Sequence, residues 1–151
     1  MNVVQVSIQP RRSRSRRELT EPLVTEYATR IGRYVSFESK FFDTEDEFLG
    51  WLERQSGRTS AYVFLLDSRG KQLSSEELAQ TIGQLRDSGV QHLVFAVGPA
   101  DGWRENTRVR ANLLLSFGRI TLPHQLAAVI LTEQLYRAFT ILAGHPYHSG
   151  H

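Results

Sequence analysis

The residues able to do chemistry fall into three short segments, a basic stretch and a histidine-bearing tail. Gly98-Pro99-Ala100-Asp101-Gly102-Trp103 places two glycines and a proline directly after an apolar run. Such a turn exposes backbone amides, and glycine lets a ligand approach the main chain closely; on spacing alone an ordinary strand-to-helix turn is the favoured reading. Leu66-Asp67-Ser68-Arg69-Gly70 puts a carboxylate at a strand end, where it either caps the next element or accepts a hydrogen bond from a ligand. Ser116-Phe117-Gly118-Arg119-Ile120-Thr121-Leu122-Pro123-His124 leads straight into a helix. Pro123 suits the first turn of that helix, and His124 reads as a catalytic group, a ligand contact or a structural residue. Gly144-His145-Pro146-Tyr147-His148-Ser149-Gly150-His151 spaces three histidines at intervals of three, with no carboxylate or cysteine nearby, which argues against a metal. Arg11, Arg12, Arg14, Arg16 and Arg17 form a basic stretch, suited to phosphates or to a solvated loop. Arg137 is spaced to pair with Glu133 one helical turn earlier.

The elements that must position these groups alternate along the chain. Val4, Val6 and Ile8 alternate with polar neighbours and predict a first strand. Leu19, Leu23, Val24, Tyr27, Ala28 and Ile31 recur at helical spacing, and Val35, Phe37 and Phe41 return to a period of two. Thr44 with Glu47 predicts a capping box ahead of a helix carrying Phe48, Leu49 and Leu52. Ala61 to Leu66 and His92 to Val97 are apolar runs of strand length, as expected inside a parallel sheet. Between them, Ser74 and Glu77 open a helix that buries Leu78, Ile82 and Leu85 and stops at Gly89. A last helix from Pro123 to about Leu142 is apolar over more than one stripe (Leu126, Val129, Ile130, Leu131, Leu135, Ile141), so a second subunit is expected against it.

This order predicts one three-layer α/β domain over residues 1–151 with a largely parallel sheet. Ligands in such folds bind beyond the carboxyl ends of the strands. The turns after Leu66, after Val97 and around Ile120 are therefore the places to look.

Composition narrows the function classes. The chain has 151 residues, 40% hydrophobic and 23% charged, which is enough for a core. It has no cysteine, excluding disulfides, thiolate zinc sites and iron–sulfur clusters and fitting a cytoplasmic protein. No run is long enough to span a membrane, and no signal-peptide core opens the chain. The net charge of +2 is too mild to announce nucleic acid, so the clustering of arginines matters more than their total. Dinucleotide and phosphate-loop glycine patterns, the Gly-x-Ser-x-Gly elbow and the His-Glu-x-x-His motif are all absent.

Taken in order, Leu66-Asp67 with Gly70-Lys71, Ser74 to Ala79, Gly98 to Gly102, Thr121-Leu122-Pro123-His124-Gln125-Leu126, Glu133 to Ala138 and Pro146-Tyr147-His148 resemble the RlmH family of SPOUT-class methyltransferases. Glu26-Tyr27 and Arg30 match as well, so the resemblance covers nearly the whole chain. It implies S-adenosylmethionine as cofactor, and methylation of N3 of a pseudouridine in 23S, large-subunit ribosomal RNA. It also implies a C-terminal trefoil knot and a homodimer.

By position, the resemblance assigns cofactor contacts to Leu66, Gly98, Phe117, Gly118, Arg119, Ile120, Thr121 and Leu122. Tyr147 and His148 shape the acceptor site, with positioning favoured over general-base chemistry. Arg11, Arg12, Arg14 and Arg137 meet RNA. The chain departs from the pattern at Pro99, Ala128 and Ser149. Two other readings stay open: a non-catalytic RNA-binding or ribosome-assembly protein that keeps the fold, and a SPOUT methyltransferase with another RNA target.

Overall fold

The computed structural model describes residues 1–10, 19–55 and 59–149. Among the described residues five strands, β1 (Asn2–Ile8), β2 (Ser36–Phe42), β3 (Tyr62–Gln72), β4 (His92–Val97) and β5 (Leu113–Ser116), form one sheet in the order β2-β1-β4-β3-β5. Every pairing is parallel. Helices α1 (Glu21–Ile31), α2 (Glu45–Gln55), α3 (Ser75–Asp87), α4 (Glu105–Arg108) and α5 (His124–Leu142) join and follow the strands.

The alternation of side chains along each strand builds two cores, one on either face. Val3, Phe64, Leu93 and Phe95 point to a core shared with α1, α3 and α5, where Ile31, Ile82, Leu131 and Leu135 are fully buried. Val6, Ile8, Val63, Leu65, Val94 and Ala96 point to the other core, with Phe48, Trp51 and Leu52 of α2 and Trp103. This is the expected three-layer α/β arrangement.

Local chemistry sets the ends of the elements. Ser74 and Glu77 exchange both bonds of a capping box at the start of α3. Gly89 follows that helix at φ +93°, a conformation glycine adopts without strain. At α2 the expected box is shifted. Thr44 Oγ1 accepts the Glu47 N–H, but the Glu47 carboxylate accepts the N–H of Asp43 instead of Thr44. Pro123 stands at the cap position of α5, one residue before its first turn.

Three features differ from the sequence expectation. Polar residues on and just after β1 are buried: Gln5, Ser7 and the following Gln9 are shielded because β1 lies between β2 and β4 with both faces covered. Residues 113–116 form a strand, and a single-turn helix, α4, precedes it; neither carries enough periodicity to be read locally. Strand β3 continues beyond Leu66 to Gln72. Leu66 and Lys71 both stand opposite Leu115, so the four residues between them are excluded from the ladder. The expected turn after Leu66 is thus an excursion within a strand, and β3 resumes beyond it. Gly70 closes that excursion, and a Cβ there would lie 2.5 Å from the carbonyl of Leu114. Only a residue without a side chain lets the two backbones approach so closely.

Candidate cofactor cleft and tail cluster

The three strand-end segments converge. The excursion after Leu66, the turn after Val97 and the stretch from Phe117 to the start of α5 together line one cleft of about 870 Å³. Of the residues singled out for the cofactor, Leu66, Gly98, Phe117, Gly118, Ile120, Thr121 and Leu122 all line it. Arg119 is exposed and lies outside the lining.

Backbone geometry builds most of this cleft. Gly118 has φ +109° and Gly102 φ +88°, both in the region that favours glycine. The Gly118 N–H donates to Ser116 Oγ at 3.0 Å. The Ser116 hydroxyl lies 3.1 Å from the Gly118 carbonyl and 3.3 Å from that of Ser68, tying two walls of the cleft together. Asp67 accepts the N–H of Arg69 at 2.9 Å and pairs with its guanidinium at 3.3 Å, so its carboxylate shapes the excursion while lining the cleft.

Sequence reading missed the residue that joins the other two walls. Trp103 is buried, and its Nε1–H donates to the Leu66 carbonyl at 2.8 Å. A Cβ on Gly98 would stand 2.7 Å from the same indole ring. Gly98 is therefore glycine because Trp103 packs on it. The residues that follow Trp103 are held by Glu45, a buried carboxylate on α2 that sequence reading also passed over. Glu45 accepts from Thr107 Oγ1 at 2.5 Å and from the Arg104 backbone and side chain at 3.3 Å. The signal for both was weak: one tryptophan after a glycine turn, and one acid among three at a helix start.

The tail candidates lie elsewhere. Tyr147 Oη donates to Glu133 at 3.1 Å, and the Tyr147 ring packs edge-on against Tyr136. His148 Nε2 is 2.6 Å from Glu76, and its Nδ1 is 2.9 Å from Arg137 Nη1. The two ring nitrogens of His148 thus bridge Arg137 on α5 and Glu76 on α3. Arg137 also donates to Glu133 at 2.6 Å, the helical pairing foreseen from sequence, which occupies the guanidinium within the chain.

The tail contacts shift proton affinities in explicable directions. Burial, then the Glu133 charge, pushes the Tyr147 phenol up to about 12. The His148 hydrogen bond holds Glu76 below the usual carboxylate range. The Glu133 hydrogen bond raises Arg137.

Neither Tyr147 nor His148 lines the cleft of its own chain. A hydrogen-bonded path nonetheless runs toward it. Ser75 Oγ donates to Gln134 at 2.6 Å, and Gln134 Nε2 donates to Glu133 at 2.8 Å. Ser75 and Gln134 line a smaller cavity that shares Phe117, Gly118, Ile120 and Leu122 with the cleft. Arg11, Arg12 and Arg14 lie outside the described residues. Among the described residues no group of histidines and acids is placed to hold a metal, and no helix is long and apolar enough to cross a membrane.

A parallel sheet with a backbone-built cleft beyond its strand ends, closed by the segment that enters the last helix, defines an α/β ligand-binding enzyme scaffold. The family model described as "Predicted SPOUT methyltransferase" matches residues 12–148, and the chain belongs to that family. It is 51% identical, over 87% of its length and 89% of the relative's, to the ribosomal RNA large subunit methyltransferase H of Koribacter versatilis. It is 60% identical over 86 residues to the protein of the same name from Mesorhizobium japonicum, a match spanning about half of each chain (57% of this one and 54% of the relative). Among solved structures, the SpoU methyltransferase AviRb of Streptomyces viridochromogenes, in complex with the cofactor AdoMet, superposes with a TM-score of 0.55. That match has 13% identity and covers 96% of this chain and 59% of the other, a likeness of fold.

Proposed function

We propose that this methyltransferase transfers the methyl group of S-adenosylmethionine to N3 of a pseudouridine in large-subunit ribosomal RNA, as a cytoplasmic homodimer of single-domain chains whose C-terminal part is threaded as a trefoil knot. The observation that carries the cofactor is the convergence of three separate turns on one cleft of about 870 Å³. The lining fits the group. Leu66, Phe117, Ile120 and Leu122 offer apolar walls for a purine, and the glycine turns offer main-chain groups for its polar edges. Asp67 and Asp101 are carboxylates suited to a cationic sulfonium. When bound, the cofactor supplies an electrophilic methyl group. The chain's part is to align donor and acceptor in line and keep water out.

The ribosomal substrate rests on the strong likeness to large-subunit methyltransferases over nearly the whole chain. Tyr147 and His148 serve as positioning residues. Tyr147 is a proton donor held far from ionisation, and the His148 imidazole is held between Glu76 and Arg137. Because the tail does not reach its own cleft, it acts in the dimer, where one chain's tail and the other's cleft make one site. Leu126 and Ile120 are exposed at and before the start of α5, the kind of surface a second copy covers. Arg11, Arg12 and Arg14 supply phosphate contacts.

Titration calorimetry with S-adenosylmethionine tests this reading. Binding in the micromolar range, about −8 kcal/mol, is expected. The absence of both heat and a thermal shift, with the cofactor or with its demethylated product, would overturn it.

A further inference from the structure

Strand β1 has two unlike faces. Interior parallel strands covered on both sides are ordinarily apolar throughout. Here Val6 and Ile8 pack on the α2 side, whereas the other face carries Gln5, Ser7 and Gln9, all buried. Burying amides and a hydroxyl is costly unless they have partners. Gln5 is oriented by two: its Nε2 donates to the Ala128 carbonyl at 3.1 Å, and its Oε1 accepts from Thr132 at 2.9 Å. An amide has two N–H donors and two lone pairs, so Gln5 retains one of each in a fixed direction.

This polar row opens on a second cavity of about 380 Å³, distinct from the cofactor cleft. Thr25 and Thr29 of α1, Ser39 and Phe41 of β2, and Gln125 of α5 contribute to its walls. Gln125 Nε2 is buried and has no hydrogen-bond partner among the described residues. His124 and Gln125 line both cavities, so the first turn of α5 is the partition between them.

The lining chemistry selects a ligand class. Among the described lining residues there is no lysine or arginine, so a phosphate is a poor match. Amides and hydroxyls beside the rings of Phe37 and Phe41 suit a flat neutral heterocycle with hydrogen-bonding edges. The cavity volume is within the range of small-molecule sites and exceeds that of a single pyrimidine ring. We propose that this cavity receives the target pyrimidine base, extruded from the RNA, and presents it to the cofactor cleft across Gln125. The proposal deepens the methyltransferase reading and rests on it. Extrusion is the general solution for enzymes that act on a base. Gln5 and Gln125 read the edges of the base, and the partition at α5 sets its distance from the donor.

The test fills the cavity without touching the cleft. Thr25 is exposed on α1, so Thr25→Trp adds bulk at the rim without replacing a core side chain. Ser39 is exposed on β2 and lines this cavity and not the cleft, so Ser39→Phe adds bulk from a second wall. Both variants are expected to melt cooperatively, keep the wild-type assembly state in light scattering and bind S-adenosylmethionine within about twofold of wild type. Methyl transfer into ribosomes lacking the modification should fall at least about tenfold, which is roughly 1.4 kcal/mol of transition-state stabilisation. Wild-type transfer rates in both variants would overturn the proposal. Separately, the side-chain amide resonances of Gln5 and Gln125 should shift on titration with free uridine in wild type and stay still in Thr25→Trp. Unmoved resonances in wild type would also overturn it. If wild type transfers no methyl to any ribosome, the functional reading fails instead, and the uridine titration still decides the cavity.

Discussion

The strand-end cleft and the tail cluster are built by opposite means. The cleft is a product of main chain: three turns, glycines at positive φ or in tight contact, and a single tryptophan bonded to a carbonyl. The tail cluster is a product of ionisable side chains, Glu133, Arg137, Glu76, Tyr147 and His148, linked at 2.6 to 3.1 Å. Atoms packed at close range tolerate no added volume, whereas partly exposed charged networks give way at small cost in stability. The contrast teaches where fold and function separate. Damage to the cleft should be damage to the fold, while damage to the tail should leave a folded chain that binds cofactor and works poorly.

Gly70→Ala is the severest way to press this contrast. The added Cβ would meet the Leu114 carbonyl at 2.5 Å and the Leu115 nitrogen at 2.8 Å. A loss of about 3 kcal/mol is expected in urea unfolding, together with loss of cofactor binding. Gly98→Ala comes next. It must displace the Trp103 ring from 2.7 Å, which should cost about 2 kcal/mol and shift tryptophan emission toward the red as the indole gains water. Ser74→Ala removes a complete capping box and should cost about 1 kcal/mol, with cofactor affinity unchanged.

Tyr147→Phe is the mildest for the fold, at no more than about 1 kcal/mol, yet it should reduce methyl transfer strongly. A loss of stability as large as that of Gly70→Ala would break the contrast. An absorbance titration sharpens it further. Tyr147 keeps its proton in the folded chain to about pH 12, whereas an unfolded tyrosine releases it near ~10. The raised value means that the contribution to stability is full below about pH 10 and is lost as pH rises through about 12. Wild type should show the late titration of Tyr147, and Tyr147→Phe should lack that step.

Much of this architecture is legible in the chain because it is local. Period-two runs place β1 and β2, apolar runs place β3 and β4, and Ser74 with Glu77 places the start of α3. Strand-end logic marked the three turns that line the cleft. What stayed hidden depends on partners distant in sequence. Leu113 to Ser116 are too few to show a period and become a strand only by pairing with β3 on either side of an excursion. Gly98 reads as an ordinary turn glycine until Trp103 is seen packed on it. The burial of Gln5, Ser7 and Gln9 is not legible either, because alternation reports that side chains point to two sides and cannot report that both sides are covered. Tyr147 and His148 stood out by type and by resemblance, but their seat on Glu133, Glu76 and Arg137 requires α3 and α5 to pack together.

The most direct measurement is transfer of labelled methyl from S-adenosylmethionine to ribosomes lacking the modification, followed by mapping of the labelled nucleotide. The account predicts label on N3 of a single pseudouridine in the large-subunit RNA, dependent on an intact cleft and tail. Cofactor binding without incorporation would contradict it and point to an RNA-binding module that keeps the fold. Label on another nucleotide or another RNA would contradict the substrate assignment.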